Sequence, residues 1–374
     1  MRIALFSGNY NYLREGANQA LNRLVYYLED KAGHQVRVYS PVTDTPAFEP
    51  AGTLIPVPSI RFPVRAEFQL ALGLPRSIRR DVERFAPDIL HVSTPDILGT
   101  RAQTFARQAG IPLIASLHTR FEAYPAYYGL GWLTPLVAAH LRRFYRRSDH
   151  VLAPTPALVS EMKRMRGDDA ASLWSRGIDH DLFRPERRDL AWRRARGIGD
   201  DEIAILFFGR LVLEKGVALF VQVVDALQRK GLPVRPLIVG AGPASALFEA
   251  LSRPVMCGHL TDTDLAVAVA SADIMLTPST TETFGNVVLE AMASGVAVVS
   301  ADAPSARGLI THGRDGLLCP ASDTDAYRSN IEMLIGSATD RARVGASARD
   351  FSARHSWDDA SANVNQVYLK LKRS

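Results

Sequence analysis

The stretch Ile274 to Ala297, IMLTPSTTETFGNVVLEAMASGVA, decides the fold. Ile274 to Leu276 form a short apolar run of the kind a buried parallel strand shows, and Pro278 ends it. Thr280 to Thr283 make a polar loop. Phe284-Gly285-Asn286 opens a helix that continues through Val287, Val288 and Leu289. Gly295 stops that helix, and Val296 to Val299 begins a second β-branched strand. Two carboxylates, Glu282 and Glu290, stand eight residues apart in this unit. Glu282 falls in the loop beyond a strand, where open α/β sheets bind ligands. Between the two lies a helix N-terminus whose free N–H groups suit an anion. Carboxylate, anion cradle and carboxylate in a row match the hexose hydroxyls, diphosphate and ribose hydroxyls of a nucleotide sugar.

On the residues alone, Glu282 also reads as a solvated loop carboxylate. Glu290 fits a surface reading poorly, because a helix written VVLEAMA is largely buried and Glu is rarely buried alone. At 374 residues the chain suits two domains rather than one core. No apolar run reaches the length of a membrane span, and MRIALF reads as a first strand rather than a signal peptide. Cys257 and Cys319 are distant and lie among apolar residues, which fits a reduced cytosolic core and offers neither a zinc site nor a disulfide framework. The net charge of +5 favours an anionic partner, and no nucleic-acid-binding signature accompanies it.

Strand-like and helical segments alternate in both halves. In the first, Gly16 follows a polar loop after the opening strand and precedes a helix. A turn glycine and a point of close backbone approach are both open there. Arg76, Arg80 and Arg84 recur at helical spacing with Arg79 beside them, close to Phe62 and Phe68. An anionic membrane surface would take such a cluster, and a solvated charged face is the safer account of it. LIASLHT, Leu113 to Thr119, carries His118 at its carboxyl end, which reads as a core histidine or a site residue. In the second half a fully apolar strand runs into Gly209-Arg210-Leu211 and then Glu214-Lys215-Gly216. A forked cation and a mobile one at a strand end suit a phosphate. LIVGAG, Leu237 to Gly242, is a weaker glycine signal.

TETFGNVVLEAMASG resembles the E-x7-E signature of the family-four retaining glycosyltransferases, and is most similar to that of the GDP-mannose-dependent α-mannosyltransferases. GRLVLEKG resembles the GRL-x-x-EKG motif of the family, SLHT its histidine-bearing strand end, and GIDHDLFRP its interdomain link. The resemblance implies the GT-B fold: two Rossmann-like parallel-sheet domains facing a cleft, with the last helix crossing back to the first. The boundaries expected are 1–180 plus 356–374 for an acceptor domain and 181–355 for a donor domain. It implies that Arg210 and Lys215 clamp the donor diphosphate, Glu282 contacts the hexose, Glu290 the ribose, and His118 lies near the donor sugar. It extends donor contact to Gly16, Gly209, Gly258, His259, Leu260, Phe284, Gly285, Asn286 and Val287.

The function implied is retaining hexosyl transfer, favouring mannose from GDP-mannose, to a lipid or glycolipid hydroxyl. No cofactor or metal is expected, and the setting is cytoplasmic, peripheral on the inner face of the membrane. The alternatives are a UDP-sugar donor (glucuronate, glucose or sulfoquinovose) on diacylglycerol, and a catalytically silent nucleotide-sugar-binding protein. Asn286 in place of another residue in the first helical turn, with Phe284 before it, tilts the choice towards GDP-mannose.

Overall fold

The computed structural model describes residues 1–13, 15–61, 68–127 and 129–373. Phe62 lies outside the described residues. Fifteen strands are present among them: β1 (Arg2–Phe6), β2 (Gln35–Ser40), β3 (Thr53–Pro56), β4 (Ser59–Arg61), β5 (Gln69–Ala71), β6 (Ile89–Val92), β7 (Leu113–Ser116), β8 (His150–Ala153), β9 (Ala171–Leu173), β10 (Ile203–Phe208), β11 (Val234–Val239), β12 (Val255–Met256), β13 (Ile274–Thr277), β14 (Ala297–Ala301) and β15 (Leu317–Cys319).

They form two parallel sheets and one small hairpin. The first sheet has seven strands in the order β3-β2-β1-β6-β7-β8-β9, and the second six in the order β12-β11-β10-β13-β14-β15. Both start in the middle, run outward one way and then reverse. This is the doubly wound Rossmann-like order, with switch points between β1 and β6 and between β10 and β13. The hairpin, β4 and β5, is antiparallel. Contacts divide the chain into Met1–Gly177 with Trp357–Ser374, and Ile178–Ser356.

Parallel strands covered on both faces need apolar residues at every position, not alternate ones. β13 and β14 show why. Ile274 and Leu276 enter the core on one face of their sheet with Ala297, Val299 and Ala301, while Met275 and Val298 enter the core on the other. β1 divides likewise, Ala4 and Phe6 to one side and Ile3 and Leu5 to the other. The last helix, Trp357–Arg373, places Ala360, Val364 and Tyr368 in the core that holds Ile3 and Leu5. Among the described residues, no helix is long and apolar enough to cross a membrane.

Val364→Ala tests whether the final helix is a working part of the first core. Val364 is fully buried, so the expected cost is about 2 kcal/mol of unfolding free energy, measured by denaturant melts.

Candidate active site

The second sheet's switch point brings two sequence-distant loops together. β10 pairs with β13 in register, Ile205 with Ile274 and Leu206 with Met275, so both end on the same side. The turn after β10 carries Arg210, and the end of β11 with the loop after it holds that turn. Gly209 N donates to Val239 O at 3.0 Å and Leu211 N to Ala241 O at 3.0 Å. A Cβ on Gly240 would lie 1.8 Å from Gly209 O, and one on Gly242 2.4 Å from Leu211 O. Both glycines also sit at positive φ, +147° and +158°. The glycines of LIVGAG are therefore required by close packing on the Arg210 turn. Gly240 N also donates to Gly258 O at 2.8 Å, which ties the chain beyond β12 to the same clamp. Gly258 and His259 are exposed there and Leu260 is half-buried.

The next turn is fixed just as tightly. Gly216, at φ +77°, closes it, and a Cβ there would lie 2.8 Å from Pro278 Cγ and 3.0 Å from Pro278 backbone. Ser279 and Thr281 hydroxyls donate to the Glu214 carbonyl at 3.3 and 3.1 Å. With the loop after β13 tied down in this way, Lys215 Nζ and Glu282 Oε1 form an ion pair. Their side chains keep about one-fifth of their exposure, 23% and 20%.

The helix Asn286–Ala293 begins beside this pair. Gly285 is its N-cap at φ +98° and provides no side-chain cap. Gly285 O accepts from Val288 N and Leu289 N, at 3.0 and 3.1 Å. Val287 is adjacent to the Arg210 turn: a Cβ on Gly209 would sit 3.9 Å from Val287 Cγ1. Asn286 is half-buried in the first turn. Phe284, expected at the donor, is placed differently. Its ring is 5% exposed in the core and meets His355 edge-on at 6.3 Å, so only its backbone borders the loop. The apolar ring completes the core because Gly285 turns the chain directly after it.

Glu290 is one turn further along. Loss of solvation alone pushes its carboxyl up to about 8. The residue as a whole stays half-buried. A carboxyl held neutral both donates and accepts, which matches a pair of vicinal hydroxyls.

The first unit holds a separate cluster at its strand ends. His118, two residues past β7, has both ring nitrogens engaged: Nδ1 with Arg176 Nη2 at 3.1 Å and Nε2 with Ser116 Oγ at 2.8 Å. A guanidinium only donates, so Nδ1 accepts and Nε2 carries the proton. Ser116 Oγ also meets His91 Nε2 at 2.8 Å, and His91 Nδ1 meets Tyr368 OH at 2.6 Å. Burial holds His91 down to about 3; burial first, then the Arg176 charge, hold His118 well below its ordinary value. Trp174 packs edge-on against both rings. Sequence reading found His118 but not Arg176, His91, Ser116 or Tyr368. The signals were a histidine inside the apolar strand DILHVS and an arginine beside a tryptophan in WSRG, which read only as linker.

Gly16 is the first residue of the helix Gly16–Tyr26. Arg76, Arg79, Arg80 and Arg84 are exposed on the helix Arg76–Phe85, whose Ile78, Val82 and Phe85 face the core. Arg79 pairs with Glu83 at 2.9 Å and Arg84 with Asp81 at 3.6 Å.

A family model for Glycosyltransferase Family 4 matches residues 14–182, and one for glycosyl transferases group 1 matches residues 202–337. A GDP-mannose-dependent alpha-mannosyltransferase of Mycolicibacterium smegmatis is 31% identical over 367 residues, covering 96% of this chain and 94% of that protein. The chain belongs to the family 4 glycosyltransferases. A sulfoquinovosyl transferase of Arabidopsis thaliana is 29% identical over 380 residues, covering 98% of this chain and 73% of the relative. The solved sucrose-phosphate synthase of Thermosynechococcus elongatus superposes with a TM-score of 0.79 at 18% identity, covering 99% and 98% of the two chains. That likeness identifies the two parallel-sheet units of this glycosyltransferase as the GT-B fold.

Glu290 generates a test with a definite sign. Its folded pKa lies above its unfolded one, so below about pH 4.5 both states are protonated and the carboxyl is neutral for stability. Between about pH 4.5 and pH 8 the unfolded state releases the proton first, and stability falls as pH rises. Glu290→Gln should flatten that slope in donor-free enzyme and raise stability near pH 8 by about 2 kcal/mol, after discounting for partial exposure. Melts at pH 5 and pH 8 measure it, and an unchanged slope would reject a desolvated carboxyl.

Proposed function

We propose that this glycosyltransferase moves a hexose, mannose from GDP-mannose in the favoured case, to a hydroxyl of a lipid or glycolipid acceptor with retention. The observation that carries the reading is the Lys215–Glu282 ion pair set between the Arg210 turn and an uncapped helix start. The mannose assignment is supported by the name of the Mycolicibacterium relative and by Asn286 in the first helical turn. The lipid acceptor is supported by the exposed arginines of the helix Arg76–Phe85, a face that suits an anionic bilayer and a cytoplasmic enzyme working peripherally at it.

In this mechanism the bond from the hexose anomeric carbon to the diphosphate oxygen breaks, and its electron pair stays on that oxygen. Arg210, Lys215 and the N–H groups at the start of Asn286–Ala293 stabilise the developing charge. The acceptor oxygen attacks the oxocarbenium-like carbon from the face just vacated, and the departing phosphate oxygen takes the acceptor proton. Glu282 accepts from hexose hydroxyls and is held in place by Lys215. Glu290, protonated before donor arrives, engages the ribose diol. The two cations do the work of charge stabilisation, so the proposal includes no cofactor or metal.

Arg210→Ala should lower kcat by about 100- to 1,000-fold with little change in melting temperature, since it removes a donor to the developing anion. Because Lys215 also holds Glu282, Lys215→Ala and Glu282→Gln should be non-additive, the double variant losing less than the product of the two losses. Turnover of labelled donor measures both, and near-wild-type rates for Arg210→Ala would remove the clamp.

The base is tested separately. Calorimetric titration should give tighter binding of GDP than of UDP. The reverse order would transfer the reading to UDP-linked donors while leaving the retaining mechanism intact.

A further inference from the structure

Four arginines are buried in the described residues: Arg166, Arg176, Arg193 and Arg235, at 7%, 4%, 1% and 4% exposure. Three of them have a carboxylate. Arg166 pairs with Asp168, Arg193 with Asp273 and Arg235 with Glu202, each at 2.8 Å. Arg176 has none among the described residues. Its Nη1 donates to Trp174 O at 2.8 Å and Ser175 O at 3.2 Å, its Nη2 to His118 Nδ1, and its guanidinium lies 4.9 Å from the Trp174 ring centroid.

We propose that Arg176 is an anion-recognition residue, whose guanidinium takes an oxyanion (phosphate, carboxylate or sulfonate) carried by the donor sugar or by the acceptor. This rests on the transferase reading above and adds to it a charged substrate class.

A buried cation with only neutral acceptors is costly, and proteins keep one chiefly where a ligand completes it. The effect of burial is visible in Arg176 itself, which is lowered to about 9 with no charged neighbour countering it. Its place is the second argument. Trp174 to Arg176 follow β9 and His118 follows β7, so the cluster lies at the carboxyl ends of a parallel sheet, the side that takes ligands. Three of the five guanidinium N–H groups are engaged by protein; Nε–H and one Nη2–H have no acceptor among the described residues. His118 contributes no charge here. It is neutral, and with Ser116, His91 and Tyr368 behind it, it fixes the direction of the guanidinium.

The test uses the full chain with 15N-labelled histidine. Inorganic sulfate, added against chloride at constant ionic strength, should shift the His118 imidazole signals saturably. Arg176→Met should abolish that shift and Arg176→Lys, the safer variant for folding, should weaken it. Steady-state transfer then locates the anion with two substrate pairs, GDP-mannose against GDP-mannuronate and diacylglycerol against phosphatidic acid. UDP-glucose and UDP-glucuronate replace the first pair if UDP binds more tightly. Arg176→Met should raise KM for the charged member of one pair by about tenfold or more, and for its uncharged partner by no more than about twofold. No sulfate shift in the wild type overturns the proposal. So does an equal loss on all four substrates, which would make Arg176 a positioning residue for His118. If sulfate shifts His118 but no donor is turned over, the transferase reading fails and the anion site stands.

Discussion

The second unit depends on one contact: backbone of Gly240 and Gly242 against backbone of the Gly209 to Leu211 turn. No side chain can occupy the space, since a Cβ at Gly240 would overlap a carbonyl oxygen. The contact fixes the turn through main-chain atoms. The Gly216–Pro278 contact does the same for Lys215. Both cations therefore stand on closely packed turns at a switch point, the placement that the proposed diphosphate clamp requires. The ordinary rules of parallel sheets brought these turns together, and four glycines at positive φ made the approach close enough.

The two units handle charge in opposite ways. In the second, Lys215 and Glu282 compensate one another, and Glu290 escapes the cost of burial by holding a proton. In the cluster around His118 in the first, two histidines are neutral and Arg176 is left to neutral acceptors among the described residues. A relay from Tyr368 through His91 and Ser116 to His118 makes the last helix a support for this arrangement. The chain leaves the first unit at Gly177 and returns at Trp357, and the return supplies Tyr368. An interaction that spans 277 residues in sequence therefore sets one ring's orientation beneath the strand ends.

Much of this was legible in the sequence, and the exceptions have physical causes. The stretch from Ile274 to Ala297 gave strand, loop, helix and strand because each carries a local signal: an apolar run, a proline, a glycine stop. Arg210, Lys215 and Glu282 stand out as candidates because strand ends in a parallel sheet are where charged residues have little structural reason to be, and Glu290 because the helix around it is apolar. The direction of the Phe284 ring was not legible, since an aromatic next to a candidate site residue looks the same in sequence whether its ring points to ligand or to core. The glycines of LIVGAG resembled a phosphate loop because both uses need close backbone approach, and only the neighbour distinguishes them. Arg176 was unreadable for a different reason. Its meaning lies in the absence of a carboxylate partner among the described residues, and sequence spacing cannot report what is missing in space.

That difference also settles how the arginine excess should be weighed. Read as composition, +5 suggests an anionic partner without locating it. In three dimensions much of the charge is answered within the protein, by Glu83 for Arg79, Asp81 for Arg37 and Arg84, and Glu202 for Arg235 and Arg253. Exposed pairs of this kind contribute little energy and carry little information about ligands. The arginine that carries information is the one that burial makes costly and that no carboxylate among the described residues relieves. A surface cluster can arise from solubility alone, whereas an uncompensated buried guanidinium at the ligand side of a sheet needs a counter-charge from outside the chain. Net charge is thus a weaker guide to this enzyme's substrate than the solvation of a single side chain.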